Sequence, residues 1–335
     1  MPLYRQETAF NDDGVPLTRK TMADWMIKLS ERYLSLLYDR IHRLMLERHV
    51  IHADETPVLV NKDGRPAGSK SYMWVYRTGV LDTLHPLVYY EYQRTRKSDH
   101  PIDFLKDFNG VCVTDGYQVY HTAEEKLEGL KIAGCWAHAR RKYDEALKAL
   151  PKAKRKGAIA STALKLIQAI FDADSSLKEL SADERLKRRQ ESVAPLVDAY
   201  FTWVKANRSQ VLSGTKTDKG MKYSLNQEKY LRVFLEDGEV AMDNNGAERA
   251  IRPFCVGKKN WEFCDTISGA NASAIIYSIV ETAKANNLRT YYYLVHLLTE
   301  IPKHMDDKNL DFLDDLLPWS ENLPKDCYKV VKVQK

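Results

Sequence analysis

The sequence predicts an α/β fold in which a sheet is flanked by helices. Three stretches rich in β-branched and aromatic residues, 50–60, 71–80 and 86–93, follow one another with turn-forming residues between the first two, which is typical of an antiparallel meander. A short apolar run at 111–113 adds a further buried strand. Apolar residues at helical spacing before and after these stretches predict the helices that cover the sheet.

Residues 1–49 are predicted to be a helical lead-in to this core. Thr18 is a residue type that caps helices, and the segment that follows it carries apolar residues near helical spacing, among them Trp25, Leu29 and Leu37. We expect the lead-in to pack against the sheet.

The composition is that of a globular protein without a membrane span. Of 335 residues, 44% are hydrophobic and 29% are charged, and the formal net charge is +5. No apolar run is long enough to cross a bilayer, and the N-terminus carries acids where a signal peptide has an apolar segment. Five cysteines without framework spacing fit a reducing compartment. We therefore expect a cytoplasmic protein with no membrane partner.

Two aspartates stand where polar residues interrupt apolar strands. Asp54 is predicted at or near the end of the first strand, and Asp115 follows the run at 111–113. Aspartate is depleted in strands, so stability alone does not account for either residue. Glu248, in a predicted helix, completes a set of three carboxylates. Carboxylate oxygens are the usual ligands of Mg²⁺ or Mn²⁺, and two such ions can clamp the attacking and leaving oxygens of a phosphoryl transfer. The three residues are therefore candidate catalytic metal ligands.

The helix of Glu248 is predicted to begin at 243–245, where all three residues are N-cap types. An ion pair with a residue four positions on, across a solvated face, is the ordinary interpretation of this carboxylate. The two aspartates shift the interpretation toward a site at which nearby cations position phosphate groups. Those cations are Arg249, Arg252, Lys258 and Lys259. Asp243 competes with Glu248 as the third carboxylate, and helical spacing does not decide between them.

The strongest basic stretch lies between Lys131 and Lys156, with nine Lys or Arg against two acids. A helix is predicted at 137–150, after a strand-like segment at 130–136. We expect this stretch to contact a phosphate backbone. The candidate contacts are His138, Arg140, Arg141 and Lys142.

A smaller basic patch comprises Arg94, Arg96 and Lys97, just before a helix predicted at 99–108. Such a patch can face phosphates, but a charge run on a surface is more often only solvated. A further helix is predicted at 122–129.

The segment at 141–238 is predicted to be a helical insertion, because its apolar residues follow a helical period. Within it, 212–224 is expected to be a loop. Beyond Glu248, helices are predicted at 268–286 and 290–305. An acidic segment at 306–324 is expected to dock on the surface, and the end at 330–335 to be frayed.

Several long motifs occur in an order that identifies a family. HADETP around Asp54, TDGYQVY around Asp115, GCWAHARRKY from Gly134 and DNNGAERAIRPFCVGKKNW from Asp243 resemble the insertion sequence 66 family of bacterial DDE transposases. PLYRQETAF near the start and LLPWSENLP near the end are similar to the flanking segments of that family. The resemblance covers nearly the whole chain, and about 151–237 is its least distinctive part.

The resemblance implies an RNase H-like catalytic core, a mixed sheet flanked by helices, with a helical insertion between the second Asp and the Glu. It implies that the core comprises 50–140 and 239–300, the second part carrying the catalytic helix, and that 301–335 is a C-terminal segment. It assigns the triad to Asp54, Asp115 and Glu248 and selects Asp54 over its neighbour Glu55, which would point to the other face of the strand.

By the same resemblance, the activity is Mg²⁺- or Mn²⁺-dependent cleavage and transfer of DNA strands, with two ions in the site. The implied partners are element ends and target DNA, further copies of the chain and accessory proteins of the same element, in the bacterial nucleoid. Full-length members of the family carry an additional N-terminal region with a coiled coil and a zinc-binding domain, so we expect autonomous recognition of element ends to be impaired.

Three alternatives stay open at the level of sequence. The chain is alternatively a truncated, non-autonomous remnant that binds DNA or a partner, or a plain RNase H-like nuclease. A zinc site is conceivable, although the spacing supplies no second tight pair of ligands. Its ligands would be Cys135, His138, Cys255 and Cys264.

Overall fold

The computed structural model of the protein describes residues 2–66 and 68–329. Strands and helices of this part of the chain alternate as expected for an α/β protein. The strands are β1 (Val50–Lys62), β2 (Lys70–Thr78), β3 (Val88–Gln93), β4 (Gly110–Val113), β5 (Leu130–Ala133) and β6 (Phe263–Thr266). The helices up to the end of the strand-rich part are α1 (Leu3–Asp12), α2 (Arg19–Leu29), α3 (Ser35–Leu46), α4 (Asp99–Phe104) and α5 (Gln118–Lys126).

The remaining helices fall into two groups, one between β5 and the Glu248 helix and one from that helix onward. The first group is α6 (Trp136–Lys148), α7 (Lys152–Arg155), α8 (Ile159–Ser175), α9 (Ala182–Arg188), α10 (Ala194–Asn207), α11 (Lys216–Asn226) and α12 (Glu228–Arg232). The second group is α13 (Asn245–Trp261), α14 (Ile267–Ala285), α15 (Thr290–Glu300) and α16 (Phe312–Asp315).

The sheet has the strand order β3-β2-β1-β4-β5. Strands β1, β2 and β3 form the expected antiparallel meander, whereas β4 and β5 run parallel to β1. The predicted α/β class is therefore confirmed, as a mixed sheet flanked by helices that is consistent with an RNase H-like core. Between β5 and α13 the described chain forms only helices and connecting loops, which gives the core its helical insertion between Asp115 and Glu248.

Alternate residues of β2 show how the two faces of the sheet are covered. Met73 and Val75 lie in a buried cluster with Ile251 and Phe254 of α13. Trp74 and Tyr76 point to the opposite face, where the Tyr76 ring stacks on Phe104 at a centroid distance of 3.5 Å. The two faces are called below the α13 face and the α5 face, after the helices that approach Asp54 and Glu55, respectively.

Strand β1 is longer than the meander alone requires, and Asp54 lies inside it. Its residues pair with β2 over nearly the whole length, so the expectation that Asp54 ends the strand is wrong. On its other side, β1 pairs with β4 only through His52 and with β6 only from Leu59 onward. Asp54 therefore lies in a gap between β4 and β6. Strand β6 was not predicted, because four residues after a helix carry little periodicity.

The N-terminal lead-in contains the expected cap and one additional helix. The Thr18 hydroxyl accepts a hydrogen bond from the Thr21 amide at 3.1 Å and starts α2. A π-helical turn at Ser30–Leu34 joins α2 to α3, whose Leu37 and Ile41 are fully buried. Helix α1 precedes the cap.

The helices of the insertion share a buried hydrophobic cluster with Val111 and Val113 of β4 and Ala133 of β5, and the predicted loop at 212–224 is wrong from residue 216 onward. Residues from 216 onward form α11, which Thr215 caps by accepting from the Asp218 amide at 3.2 Å. Gly220 of this helix lies against the Tyr143 ring, and a Cβ there would approach the ring to 3.0 Å. The glycine that weakens helical propensity is thus needed for close packing of α11 on α6.

The predicted domain limits stay predictions. The limit between 140 and 141 falls inside α6, so one helix belongs to both the core and the insertion. Helix α4 begins at Asp99 as expected but ends earlier, at Phe104, and α5 is displaced from its expected bounds. Helix α6 begins at Trp136, the last residue of the segment that was expected to be a strand.

The C-terminal segment is more deeply buried than its acidic composition indicates. Leu313, Leu316, Leu317 and Leu323 belong to the main core, so surface docking alone is the wrong description. The Tyr293 hydroxyl donates to the Leu316 carbonyl at 2.6 Å. The expectation of a frayed end at 330–335 lies outside the described residues.

Candidate active site

The parallel register of β1 and β4 places two of the three predicted carboxylates beside each other. His52 and Val113 are the last paired residues of the two strands. Asp54 and Asp115 each follow two positions later. Because side chains alternate with a period of two along a strand, the Asp54 side chain continues on the face of His52. That is the α13 face, since Asp54 lies opposite Val75 of β2. Asp115 lies beyond the end of β4, and its charge acts on Asp54.

Glu248 reaches the same face from the first turn of α13. The start of this helix is attached to β1 by the buried side chain of Asn244, whose Nδ2 donates to the Ala53 carbonyl at 2.8 Å. The Asn244 Oδ1 accepts from the His52 Nδ1 at 3.0 Å. An amide oxygen can only accept, so His52 carries its proton on Nδ1. Burial lowers the pKa of His52 to about 3 and keeps the ring neutral.

The electrostatics place the three carboxylates in one neighbourhood. Burial raises the pKa of Asp54 to about 7, and the charges of Glu55, Asp115 and Glu248 contribute to the rise. The Oδ1 of Asp54 accepts from the Glu55 amide at 2.8 Å. The Oδ1 of Asp115 accepts from the Tyr117 amide at 2.9 Å, which closes a turn over Gly116.

Gly116 is required at this turn for two reasons. Its φ is +86°, a left-handed conformation that favours glycine. A Cβ at this position would also come within 2.9 Å of the Gln227 side chain.

Glu248 lies against two basic side chains of α6. The Arg141 Nη2 lies 3.1 Å from its Oε1, and the His138 Nε2 lies 3.4 Å from the same oxygen. The His138 Nδ1 lies 3.2 Å from the Asp115 carbonyl, so this ring bridges the second and third carboxylate residues. Among the described residues, no three His, Cys, Asp or Glu side chains form a closed set of metal ligands.

The chemistry of the donors nevertheless fits a divalent cation. Burial is the main cause of the raised pKa of Asp54, and repulsion from the charges of Glu55, Asp115 and Glu248 adds to it. His138 and Arg141 already contact the Glu248 carboxylate, where a positive charge is stabilised. A bound Mg²⁺ or Mn²⁺ would relieve the same repulsion.

A cleft of about 380 Å³ opens beside Asp115. One face of α6 lines it with His138, Arg141, Lys142 and Glu145, at the spacing of residues that share a helix face. Arg140 points elsewhere, with its guanidinium 5.8 Å from the centroid of the Phe171 ring. Of the four basic residues predicted on α6, the structure brings three into the cleft.

The four cations predicted on α13 are arranged differently. Arg249, Arg252 and Lys259 are exposed, and none of them makes a hydrogen bond or ion pair with a described residue. The Lys258 ammonium donates to the Pro57 carbonyl at 2.6 Å, beside the gap in the sheet. Three of these side chains are therefore free to meet an anion, and the fourth supports the strand that carries Asp54.

Arg96 and Tyr117 line the cleft, but the sequence did not predict either of them as a site residue. Glu55 lies opposite Trp74, on the α5 face as alternation requires, yet its carboxylate is bound by Arg96, which lines the cleft beside Asp115. Tyr117 stacks beneath the Arg96 guanidinium. The signal for Arg96 was present in the basic patch before α4, but a charge run does not reveal which side chain is anchored.

Asp243 and the cysteines have local partners. Both oxygens of Asp243 accept from Asn245, from its amide at 3.0 Å and from its Nδ2 at 2.7 Å. Cys135 is buried and accepts from the Asn244 amide, and Cys255 donates to the Thr56 hydroxyl. Within the described residues, no three of the ligands considered for a zinc site come together to hold a metal ion.

No helix in the described part of the chain combines the length and the apolar character needed to cross a membrane.

Comparison with known proteins connects this site to a family. The model described as "Transposase IS66 family" matches residues 1–272, and the "IS66 C-terminal element" matches residues 278–319.

Three relatives come from Sinorhizobium fredii (strain NBRC 101917 / NGR234). Uncharacterized protein y4hP is 29% identical over 334 residues, covering 95% of this chain and 59% of its own. Uncharacterized protein y4qI is 30% identical over 330 residues, covering 96% and 59%. Uncharacterized protein y4jD is 26% identical over 328 residues, covering 96% and 63%. The chain thus spans about three fifths of the length of the curated relatives it matches. From the family match, the chain belongs to the IS66 transposase family.

Proposed function

We propose that this chain is the catalytic part of a DDE transposase that cleaves DNA at the ends of a bacterial insertion sequence and transfers the cut strands to target DNA. The observation that carries the proposal is that Asp54 in β1 and Asp115 beyond the end of β4 each follow the parallel pair His52 and Val113 by two positions, with the charge of Glu248 near enough to act on Asp54. Membership of the transposase family supports DNA as the substrate.

Asp54, Asp115 and Glu248 would hold one or two Mg²⁺ or Mn²⁺ ions. When bound, such ions supply Lewis acidity toward a phosphodiester and toward the hydroxyl that attacks it. Asp54 must lose its proton to act as a ligand, and its pKa of about 7 places this loss near neutral pH. The proton goes to solvent.

The basic residues orient the DNA strand. Arg141 and Lys142 line the cleft, and Arg249, Arg252 and Lys259 extend the positive surface along α13. Phosphate contacts of this kind fix the register of a duplex without reading its sequence. His138 holds the Asp115 loop and Glu248 at a fixed separation through its two ring nitrogens.

The reaction class also implies partners. Two element ends are joined in transposition, so we propose self-association on DNA. Accessory proteins of the same element and association with the nucleoid are proposed on the same basis.

The test compares strand cleavage by the wild-type chain, Glu248→Gln and Asp243→Asn, on duplexes that carry the pre-cut end of an IS66 element. We expect Mg²⁺- or Mn²⁺-dependent cleavage or joining in the wild type and none in Glu248→Gln, with DNA binding retained. Asp243→Asn is the matched control, because Asp243 has local hydrogen bonds to Asn245. Full activity in Glu248→Gln, or activity that persists in EDTA, contradicts the proposal.

A further inference from the structure

Arg96 enters the cleft from the segment after β3 and is held there on several sides. Its Nε donates to the Glu55 Oε1 at 2.8 Å, and its Nη2 donates to the same oxygen. Its guanidinium carbon lies 3.7 Å from the centroid of the Tyr117 ring and 5.9 Å from that of Tyr72. The Tyr117 hydroxyl donates back to the Arg96 carbonyl at 3.2 Å. Both the side chain and the backbone of Arg96 are thus fixed.

Glu55 is an unusual residue to bury beside Asp54. Its side chain is 1% exposed, whereas the Arg96 side chain remains 38% exposed. The second Glu55 oxygen accepts from the Tyr120 hydroxyl at 2.8 Å. Burial of a carboxylate costs several kcal/mol unless it is paired and hydrogen-bonded. An apolar residue at position 55 would fill the space beside Trp74 without the free-energy cost of burying a charge. The presence of a carboxylate therefore indicates that it serves to hold Arg96 in position.

The arrangement is also connected to the second predicted metal ligand. Tyr117, under the guanidinium, donates its amide to the Asp115 carboxylate at 2.9 Å. Arg96 and Asp115 line the same cleft. The guanidinium therefore lies at a fixed place relative to the carboxylates.

We infer that Arg96 binds a phosphate of the DNA strand in the cleft and that Glu55 is its positioning residue. The inference rests on the proposed function. The Nη1 of Arg96 makes no hydrogen bond with a described residue. Glu55 accepts only from the edge of the guanidinium that carries Nε and Nη2. The remaining donors of a planar guanidinium match phosphate oxygens. Holding the side chain before DNA arrives lowers the entropy lost on binding.

A purely structural role for Arg96, as the counter-charge of Glu55, is the competing explanation. Arg96→Ala alone does not separate the two roles, because it leaves Glu55 buried without its cation and can unfold the chain. The decisive comparison is between Glu55→Gln and the double variant Glu55→Gln/Arg96→Gln. Neither variant contains a buried unpaired carboxylate, and they differ only in the side chain at position 96, where Gln lacks the guanidinium group and its charge.

The measurement is binding of a short fluorescein-labelled DNA duplex over a series of salt concentrations, with Ca²⁺ in place of a catalytic metal. We expect the double variant to bind about 5- to 10-fold more weakly than Glu55→Gln, and the slope of log K against log salt to flatten by about 0.9, the value for one phosphate contact. Circular dichroism checks that both variants are folded.

The control pair is Asp314→Asn and Asp314→Asn/Arg40→Gln, which removes an arginine from another carboxylate pair outside the cleft. We expect no change of slope between these two. Equal affinities and equal slopes for the Glu55→Gln pair overturn the role of Arg96 and leave the proposed function intact. Absence of DNA binding by the wild-type chain overturns both.

Discussion

The Arg141 guanidinium lies 3.1 Å from the Glu248 carboxylate and connects α6 to α13. Arg141 is half exposed, with 51% of its side chain accessible, and Glu248 is less so at 28%. The pair therefore lies at the mouth of the cleft, where both side chains can change partners. The Arg141 guanidinium contacts the Glu248 Oε1, an oxygen that a bound metal ion would use as a ligand.

Arg141→Ala should affect the two ligands of the site in opposite directions. Without the Arg141 guanidinium, Glu248 has no ion pair with an arginine that Mn²⁺ must displace. Mn²⁺ should therefore bind several-fold more tightly. DNA should bind more weakly, and the salt slope should flatten by about 0.9. Isothermal titration calorimetry with Mn²⁺ and fluorescence anisotropy with DNA measure the two effects.

Arg140→Ala is the matched control for that change. Arg140 is the exposed neighbour on the same helix, but it extends over Phe171 instead of the cleft. We expect Mn²⁺ and DNA affinities like those of the wild type. If Arg141→Ala weakens the binding of both Mn²⁺ and DNA, Arg141 and the metal ion do not compete for Glu248.

Asn244→Ala should loosen the catalytic helix from the sheet. The side chain satisfies the Ala53 carbonyl and the His52 Nδ1, both in the buried part of β1. Loss of these partners should lower the free energy of unfolding by about 1–3 kcal/mol for each unsatisfied group. Urea denaturation measures this loss.

Asn245→Ala is the neighbouring control, because the Asn245 side chain contacts only the partly exposed Asp243 among described residues. We expect a loss below about 1 kcal/mol. Equal losses for the two variants would show that Asn244 does not hold the helix.

Glu91 should make the stability of the chain depend on pH. Burial raises its pKa from 4.5 to about 7 in the folded state. Below pH 4.5 it is protonated in both states and carries no penalty. As pH rises from 4.5 to about 7, the unfolded chain ionises first, so the free energy of unfolding falls by about 1.4 kcal/mol per unit, or about 3 kcal/mol in all.

Glu91→Gln should remove this fall and be more stable than the wild type above pH 7. Thermal denaturation across pH, in EDTA, measures the difference between the two curves. Glu128→Gln, at an exposed position, is the control and should run parallel to the wild type. Parallel curves for Glu91→Gln as well would mean that Glu91 ionises freely in the folded protein.

Arg189 should be essential to the insertion. Its Nε donates to Asp174 at 2.7 Å, and its Nη1 donates to the carbonyls of Phe234, Asp237 and Val240 on the segment that returns to the core. Arg189→Leu leaves Asp174 and these carbonyls unsatisfied, and we expect a loss of about 3–5 kcal/mol. The control is Arg188→Leu at the exposed neighbour, which forms an ion pair with Glu191. It should lower the free energy of unfolding by less than about 1 kcal/mol. Chemical denaturation of both variants decides, and similar losses would contradict the assigned role.

Local sequence was informative wherever a short-range pattern has a physical cause. The β-branched and aromatic residues along 50–60, 71–80 and 86–93 predicted the meander, because such side chains pack well on a pleated, half-buried surface. Thr18 predicted the start of α2 through its cap. The predicted loop at 212–224 failed because propensity favours a loop at Gly220, whereas packing against Tyr143 favours a helix.

The sequence by itself determined the residue types of the candidate site: three carboxylates in a strand, after a strand and in a helix, with cations nearby. It did not determine how they meet. The parallel register of β1 and β4 places Asp54 beside Asp115, and the packing of α13 on the sheet, with Asn244 at its start, brings Glu248 to them across the long insertion. The pairing of Glu55 with Arg96 likewise joins a strand to a loop two strands away. Contacts between distant segments depend on the free energy of the whole packed core, so a short stretch of sequence carries no record of them.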